Sequence, residues 1–432
     1  MYSRYIQRQV VGIGNRRYST LLPWVVSGTV KSRKIVKAND CFIYTKDKRF
    51  IDFTSGLMVV NLGHNNKYIL EGFKEHAATG ISYINSLFET DQREKLSESL
   101  VEVSGLENGK VFYTNGGGDA NETAVFLAHE YQNTVNFNNK KQRILTFEKS
   151  FHGGSTIGAT LLSGDERKKP KTNHYSLPFE SIIPNPLQFD GGLESLKQLA
   201  ILFQNNDVAA IIVEGSSGSA GCINYPVGYL KQVENICKHN KVLLICDEVM
   251  SGFGRTGSMF AYQQHQITPD IVTIAKGFTS GYVPLGGVII SKKIASIYDE
   301  KPFVHGLTYF AHPLACFIAN KCMDLYLEDD QCIIGKVKQK GHLLGTLGRK
   351  MKDEIDIVKD YRNNGLLGCI ELNITDTDKL AQISNNLMDR GVYCFRRNNL
   401  IFTAPPITVH NTHITETMET IARILNNAQW KP

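Results

Sequence analysis

No apolar run in this 432-residue chain approaches the roughly 20 residues that span a bilayer, so the sequence predicts no membrane helix. Paired cysteines are also missing. The nine cysteines (41, 222, 237, 246, 316, 322, 332, 369 and 394) are odd in number and scattered, and none forms a CxxC pair. That excludes a zinc cluster or a disulfide framework and points to a reducing compartment. Several lie inside apolar runs, such as Cys246 in "VLLICDE", where a thiol behaves as a small hydrophobe. Low-complexity segments and internal repeats of 20–50 residues are absent as well, which excludes a solenoid. Composition is that of an ordinary globular protein, 42% hydrophobic and 21% charged. The length is enough for a large core and more than one domain.

Acidic residues are missing from the first 39 positions, while Arg4, Arg8, Arg16 and Arg17 fall in the first eighteen. Four of the six net positive charges therefore belong to that stretch, and the remainder is too nearly neutral to suggest a nucleic-acid partner. Tyr2, Ile6, Val10 and Ile13 mark one helical face there. Arg-rich, acid-free and amphipathic is the composition of a mitochondrial presequence, and "RRYST" resembles a matrix processing site with cleavage before Ser19. The expectation is a presequence over 1–18 and a matrix location; without import the location would be cytoplasmic.

Two phosphate-binding signatures are absent. No Gly-Lys-Ser/Thr follows a glycine loop, and no GxGxxG is trailed by an acidic residue about twenty positions on, which excludes a Walker loop and disfavours a dinucleotide site.

What is present is a rhythm. The runs "KVFYTN" (110–115), "RILTFE" (143–148), "VAAIIVE" (208–214), "KVLLICDE" (241–248), "DIVTIA" (270–275) and "GGVIIS" (286–291) alternate with helical stretches. Continuous apolar runs fit strands buried on both faces. Their alternation with helices predicts an α/β fold with a mostly parallel sheet between helices. From about residue 317 the pattern becomes long amphipathic helices and short strands, a smaller α+β domain. The expected division is an N-terminal segment over 19–65 packed with that small domain, a large domain over 66–316, and the small domain over 317–432.

Chemistry collects at the ends of these runs. "VAAIIVE" ends on Glu214, "KVLLICDE" on Asp247 and Glu248, and "DIVTIA" delivers Lys276. "KVFYTN" opens into Gly116-Gly117-Gly118-Asp119 and a helical pattern. In open α/β sheets, ligands sit outside the carboxyl ends of the strands. Free N–H groups at a helix start, with no Cβ in the way, suit a phosphate. A lysine, an aspartate and a phosphate cradle together suggest pyridoxal phosphate (PLP), which takes a lysine for its Schiff base and an acid to keep its pyridine nitrogen protonated. To act as a base at neutral pH the lysine needs a pKa roughly three units below normal, a shift worth about 4 kcal/mol. Desolvation and a nearby positive charge both act in that direction.

"LLICDEVMSGFGRTG" (243–257), "PDIVTIAKG" (269–277) and "VPLGGVIIS" (283–291) closely resemble the class III aminotransferases of PLP fold type I. "FIDFTSGLMVVNLGH" (50–64), "TNGGGDANETA" (114–124), "SFHGGSTIGA" (150–159) and "HGLTYFAHPLA" (305–315) extend the likeness over nearly the whole chain. The resemblance implies that Lys276 holds the cofactor and shuttles the proton, and that Asp247 pairs with the pyridine nitrogen. It implies Val249 and Phe151 on the two faces of the ring, His152 beside Phe151, Glu214 near the cofactor, and the N–H groups of Gly117 and Gly118 on the phosphate. Thr308 would reach that phosphate from a neighbouring subunit, which makes a homodimer with shared sites. Arg397, or next Arg396, would take the substrate carboxylate, with Arg362 in reserve. Met58 would join the substrate site, and Arg255 would be structural. Gly116 and Asp119 stand where relatives often carry Ser and Glu, Phe151 stands for a frequent tyrosine, and "VEGSSGSAG" lacks a proline usual after the glutamate. The implied reaction moves an amino group from an amine or amino acid to a 2-oxo acid such as pyruvate or 2-oxoglutarate by a ping-pong route. The subgroup acting on taurine, β-alanine and other terminal amines is the most similar. The alternative is another PLP reaction on the same scaffold: an aminomutase, epimerase or decarboxylase.

Overall fold

The computed structural model describes residues 33–135, 141–155, 180–186, 190–328 and 333–430, with Thr20, Leu21 and Pro23. The stretch expected to be a presequence, with its processing site, lies outside the described residues.

At the centre is a seven-stranded sheet. It contains β4 (Lys110–Thr114), β5 (Arg143–Phe147), β6 (Glu180–Ile183), β7 (Val208–Glu214), β8 (Leu243–Asp247), β9 (Ile271–Ile274) and β10 (Gly286–Ile290), in the order β4-β10-β9-β8-β7-β5-β6. Only β10 runs against its neighbours. All six apolar runs of the sequence became strands of this sheet; β6, short and preceded by no apolar run, was not anticipated. The reason the runs read as unbroken is visible in β7, where all seven residues are buried. Removing the bulk of one of its isoleucines, as in Ile212→Ala, would cost about 2–5 kcal/mol.

Register sets the site. Glu214 of β7 lies opposite Asp247 of β8, and Asp247 lies opposite Thr273 of β9. The carboxyl ends of three parallel strands are thus level, and the next turn of β9 carries Lys276. β10 starts at the same edge, with Gly286 opposite Thr114 of β4. The long helix after β4, here α3 (Gly117–Val135), begins at this edge and covers the sheet with its Ala120, Ala124 and Ala128 face.

Before it lie α1 (Lys67–Ala78) and α2 (Asp91–Ser104). Helix α2 starts where the Thr90 hydroxyl accepts the Arg93 N–H at 3.3 Å, and it ends at Gly105, whose φ of 69° suits a left-handed cap. The C-terminal part pairs β11 (Val358–Asn364), β12 (Leu367–Leu372), β15 (Leu400–Thr403) and β14 (Arg396–Arg397) in an antiparallel sheet. A third sheet joins chain ends far apart in sequence. In it β1 (Lys37–Asn39), β2 (Phe42–Tyr44) and β3 (Arg49–Asp52) are completed by β13 (Val392–Tyr393), parallel to β3. The short runs "CFIYT" and "RFIDF" thus become β2 and β3, and β3 pairs with a strand of the C-terminal part.

No helix among the described residues is long and apolar enough to cross a membrane.

Candidate active site

A cavity of about 200 Å³ opens at the level strand edge. Its lining includes Gly117 and Gly118 from the start of α3, Phe151 and His152 after β5, Glu214, Asp247, Val249 and Lys276. Eight residues singled out in the sequence therefore share one cavity.

Lys276 follows β9 through Ala275, which is fully extended, and then turns into the left-handed region with φ of 50°. A lysine there is strained, and such strain is held in place by its surroundings. Those surroundings are tight. A Cβ on Gly277 would lie 2.3 Å from Asn61 Nδ2, and the Gly277 carbonyl accepts the Tyr326 hydroxyl at 2.6 Å. Only glycine fits after the lysine. The Lys276 ammonium makes no hydrogen bond or ion pair among the described residues. Burial pushes its pKa below the usual lysine value, and the Arg255 charge adds to that, while Asp247 and Glu214 oppose it.

Asp247 is almost wholly buried and receives three donors. Oδ2 accepts Asn121 Nδ2 at 2.8 Å and His152 Nδ1 at 2.7 Å, and Oδ1 accepts the Val249 N–H at 3.0 Å. The hydrogen bond to a carboxylate makes Nδ1 of His152 a donor, and Nε2 pairs with Thr146 Oγ1 at 3.1 Å. Asn121 is itself oriented: its Nδ2 also meets the His152 carbonyl at 2.7 Å and its Oδ1 accepts the Thr273 hydroxyl at 2.7 Å. His152 is therefore a support of the carboxylate, a closer role than lying beside a ring. Asn121, Thr146 and Thr273 were missed; Asn121 sits inside "GGGDANETA", one helical turn beyond the glycines, and that spacing was the available signal.

Glu214 is held by two amides, Phe151 N–H to Oε1 at 3.0 Å and Ser219 N–H to Oε2 at 3.3 Å, and burial raises its pKa. Glu248, the next residue after Asp247, does not line the cavity. It takes the Ser251 hydroxyl and the Ala261 and Tyr262 amides at 2.7–3.0 Å, and burial pushes its pKa up to about 7.

The remaining candidates separate. Arg397 donates from Nη1 to the carbonyl of Ser219, a cavity residue, at 2.9 Å. Arg396, its neighbour in β14, faces the other way, as strand alternation requires; its guanidinium meets Ser384 Oγ at 2.9 Å and the Asn398 carbonyl at 2.6 Å. Expecting Arg396 in the site is corrected on that ground. Arg362 is committed to Asp360, Glu371 and the Gly221 carbonyl. Met58 lies behind the cavity wall, in an apolar cluster with Cys222, Cys369 and Phe402 against which the lining residue Met250 packs. Thr308 is exposed and lies outside the cavity of its own chain. Arg255 is fully buried, has no carboxylate partner among the described residues, and ties together Asn61, Ser55 and the carbonyls of Leu366 and Pro405; burial brings its pKa down to about 10.

The family model for class III aminotransferases matches residues 26–425. This chain is a class III aminotransferase. It is 30% identical to an acetylornithine aminotransferase of Haemophilus ducreyi over 387 residues, 89% of this chain and 92% of the relative. With an omega-aminotransferase of Caulobacter vibrioides it shares 30% identity over 420 residues, 91% and 93% of the two chains. Among solved structures, a taurine:2-oxoglutarate aminotransferase from Bifidobacterium kashiwanohense, in complex with PLP and glutamate, aligns with a TM-score of 0.86 at 32% identity over 94% of each chain. The fold is that of PLP fold type I, and the aminotransferase is PLP-dependent.

The cavity suits that cofactor on its own evidence. Lys276 supplies an amine without a partner among the described residues, and Asp247 has one lone-pair position beyond its three donors. The first N–H groups of α3 are free of intrahelical bonds. At Gly117 a Cβ would lie 2.7 Å from Val249 Cγ1, so only glycine lets the backbone approach there.

Proposed function

We propose that this aminotransferase takes its amino group from a terminal amine and gives it to a 2-oxo acid in two half-reactions on one site. The observation that carries the reading is the junction of Lys276, Asp247 and the α3 amides in one cavity, with Arg397 behind it holding the carbonyl of the lining residue Ser219. Relatives named for ω-amines and taurine support the donor class.

When bound, PLP supplies a carbonyl that condenses with amines and a ring that withdraws electrons from the carbon losing its proton. The chain does the rest. Asp247, held by Asn121, His152 and the Val249 amide, would set its carboxylate at the cavity floor as the partner of the ring nitrogen. Gly117 and Gly118 would offer N–H groups to the phosphate, and Val249 and Phe151 would wall the two ring faces. Lys276 Nζ, with its pKa lowered by burial, takes the proton from the substrate carbon and returns it one position away. Arg397 turns its planar guanidinium to the carboxylate that every 2-oxo acid carries.

The half-reaction tests this directly. Holoenzyme given a terminal amine and no oxo acid should lose its cofactor aldehyde absorption once per subunit, and a 2-oxo acid should restore it. Turnover of the amine with the absorption unchanged would favour a decarboxylase, epimerase or aminomutase.

The working unit in this reading is a homodimer. Ile81, Tyr83, Phe88 and Tyr309 are exposed, Leu87 is 90% exposed and Val304 78%, and the two segments meet where the Tyr83 and Tyr309 rings lie 6.2 Å apart. Apolar surface of that extent suits a second copy, whose phosphate Thr308 would reach. Mixed dimers of Lys276→Ala and Thr308→Ala chains should hold one intact site and one with both defects. A chain that keeps only its own defect would exclude the crossing. The division into a large domain over 66–316 and a small one over 317–432 with residues 19–65 belongs to this reading. So does matrix import on the acid-free first eighteen residues, to be checked by sequencing the N-terminus of the endogenous protein.

A further inference from the structure

We infer that Arg255 is a positioning residue for Lys276 that acts in two ways: its buried guanidinium fastens the turn on which the lysine stands, and its charge, paired with no carboxylate among the described residues, favours the neutral amine there. The inference rests on Lys276 as the lysine that holds the cofactor and moves the proton.

Residues 252–257, "GFGRTG", follow β8 and pack against the turn that carries Lys276. Phe253 stacks on Phe278 with ring centroids 5.2 Å apart, and its carbonyl accepts Asn61 Nδ2 at 3.0 Å. Arg255 Nη2 donates to Asn61 Oδ1 at 2.5 Å. Both ends of the Asn61 amide are thus taken by one loop, which fixes Nδ2 against Gly277, the residue after the lysine. The Tyr326 hydroxyl, on the helix Pro313–Leu327, holds the Gly277 carbonyl at 2.6 Å, and Ser280 Oγ accepts the Leu62 N–H at 2.8 Å. The rest of the guanidinium reaches the Ser55 hydroxyl and the carbonyls of Leu366 and Pro405. Arg255 therefore joins the N-terminal segment and the C-terminal part to the lysine turn.

Ties of this kind need donors, not a charge. Every group that meets the guanidinium is neutral, and its Nε–H, also buried, meets none among the described residues. Asp52 acts on Arg255 without touching it, because its oxygens take the Thr54 and Gly56 amides at 3.2 and 2.6 Å. Even with its pKa brought down to about 10, Arg255 is charged at neutral pH. Burying a cation without an anion costs far more than burying neutral donors. The charge calls for a use of its own.

That use follows from where it lies. Lys276 faces Asp247 from β8 and Glu214 from β7, whose charges favour an ammonium, and Arg255 from the loop after β8, whose charge opposes it. Two buried carboxylates alone would hold the lysine protonated, and a like charge that no anion cancels offsets them. A group that takes a proton from carbon has to stand ready in its neutral form. One residue then sets both where Lys276 stands, through Asn61 and Gly277, and which form its amine takes.

The test uses the full chain as apoprotein and as holoenzyme, with Arg255→Met, Arg255→Lys and Asn61→Asp. In the apoprotein, acetic anhydride labelling of Lys276, followed by peptide mass spectrometry against pH, gives the midpoint at which the amine becomes neutral. In the holoenzyme the acid limb of kcat gives a second midpoint. Losing a like charge lets the ammonium persist to higher pH, so Arg255→Met should raise both midpoints by about one unit, leaving the neutral amine about tenfold scarcer below them. Arg255→Lys keeps the charge and loses the fork, so its labelling midpoint should stay near that of the wild type while kcat falls about tenfold with the loosened turn. Asn61→Asp sets a carboxylate on the guanidinium and should raise the midpoint as Arg255→Met does; it decides the matter if the methionine variant fails to fold. Unmoved midpoints in Arg255→Met and Asn61→Asp, with only a lower melting temperature, would make Arg255 a structural tie and overturn the inference. So would a midpoint in Arg255→Lys as high as in Arg255→Met. Borohydride reduction of the wild type that attaches the cofactor to another lysine would remove the premise itself, whereas unmoved midpoints with the cofactor on Lys276 would overturn the role of Arg255 alone.

Discussion

Asp247, Glu214 and Lys276 reach the cavity from three adjacent strands of one sheet, whereas Ser219 reaches it from a loop that Arg397, 178 residues further along the chain, meets by donating to its carbonyl at 2.9 Å. The floor is set by backbone register. The wall depends on how the C-terminal sheet sits against the loop after β7. A floor built this way tolerates little change, because moving one carboxylate means moving a buried strand. A wall built from loop and edge strand can be altered one side chain at a time. The chemistry common to the family therefore belongs on the floor and the choice of substrate on the wall, which orders the expected effects of substitution.

The largest effect should come from Lys276→Ala. Cofactor should remain through the α3 amides and Asp247, but transamination should fall about a thousandfold or more, the upper range for losing a positioned acid–base group. Borohydride reduction of the wild type should attach the cofactor to Lys276 and to no other lysine. A pH profile adds a signed check. The working form of Nζ is the neutral amine, so the rate should rise with pH through this group's pKa. Burial lowers that pKa, so the acid limb should lie below the ordinary lysine value of 10.5.

Next comes Asp247→Asn. An amide cannot offset a protonated ring nitrogen, and a loss of about a hundredfold is expected, as for removing one preorganised electrostatic contact. Nor is the substitution silent in the fold. Asn121, His152 and Val249 all donate to this carboxylate, so an inserted NH₂ opposes at least one donor and should lower stability by about 1–3 kcal/mol. Thermal unfolding of the apoprotein separates the two losses. Activity within a few-fold of wild type would break the view of the floor as the seat of the chemistry.

The same contrast explains what could be read from the sequence. Strand ends announce themselves, because an apolar run stops at a charged residue and register then makes neighbours of runs far apart in the chain. "VAAIIVE", "KVLLICDE" and "DIVTIAKG" gave the floor residues in that way. The sequence could not say that Glu248 faces away from the cavity while Asp247 faces in, because that depends on the Ala261 and Tyr262 amides waiting behind the strand. Asn121 and Thr273 were hidden for a related reason: a short polar residue in a helix or strand signals nothing until its partner is known. For the wall the limit was sharper. Spacing back from "APP" put Arg397 first and Arg396 next, and the two-residue strand gives them different partners, the Ser219 carbonyl for one and Ser384 for the other.

That pair provides the smallest and most discriminating comparison. Arg397→Ala removes the cation that holds the carbonyl of the cavity residue Ser219. A lost charged hydrogen bond is worth roughly 1.5–3 kcal/mol, so KM for the 2-oxo acid should rise about ten- to a hundredfold while an uncharged amine is hardly affected. Arg396→Ala removes instead the contacts to Ser384 and Asn398 on the far side of the same strand. These tie β14 to the middle of the helix Thr377–Asp389 and to its own turn, so the expected cost is about 1 kcal/mol of stability with both KM values unchanged. Each variant should be assayed with the oxo acid and the uncharged amine in separate half-reactions, with a melting curve beside them. The two arginines are neighbours in sequence with the same charge, so long-range electrostatics would affect both variants alike. A rise in KM for Arg397→Ala alone would therefore come from the direction of one side chain. Equal rises would mean that the rim responds to net charge, and the wall would then have no addressable carboxylate site at β14.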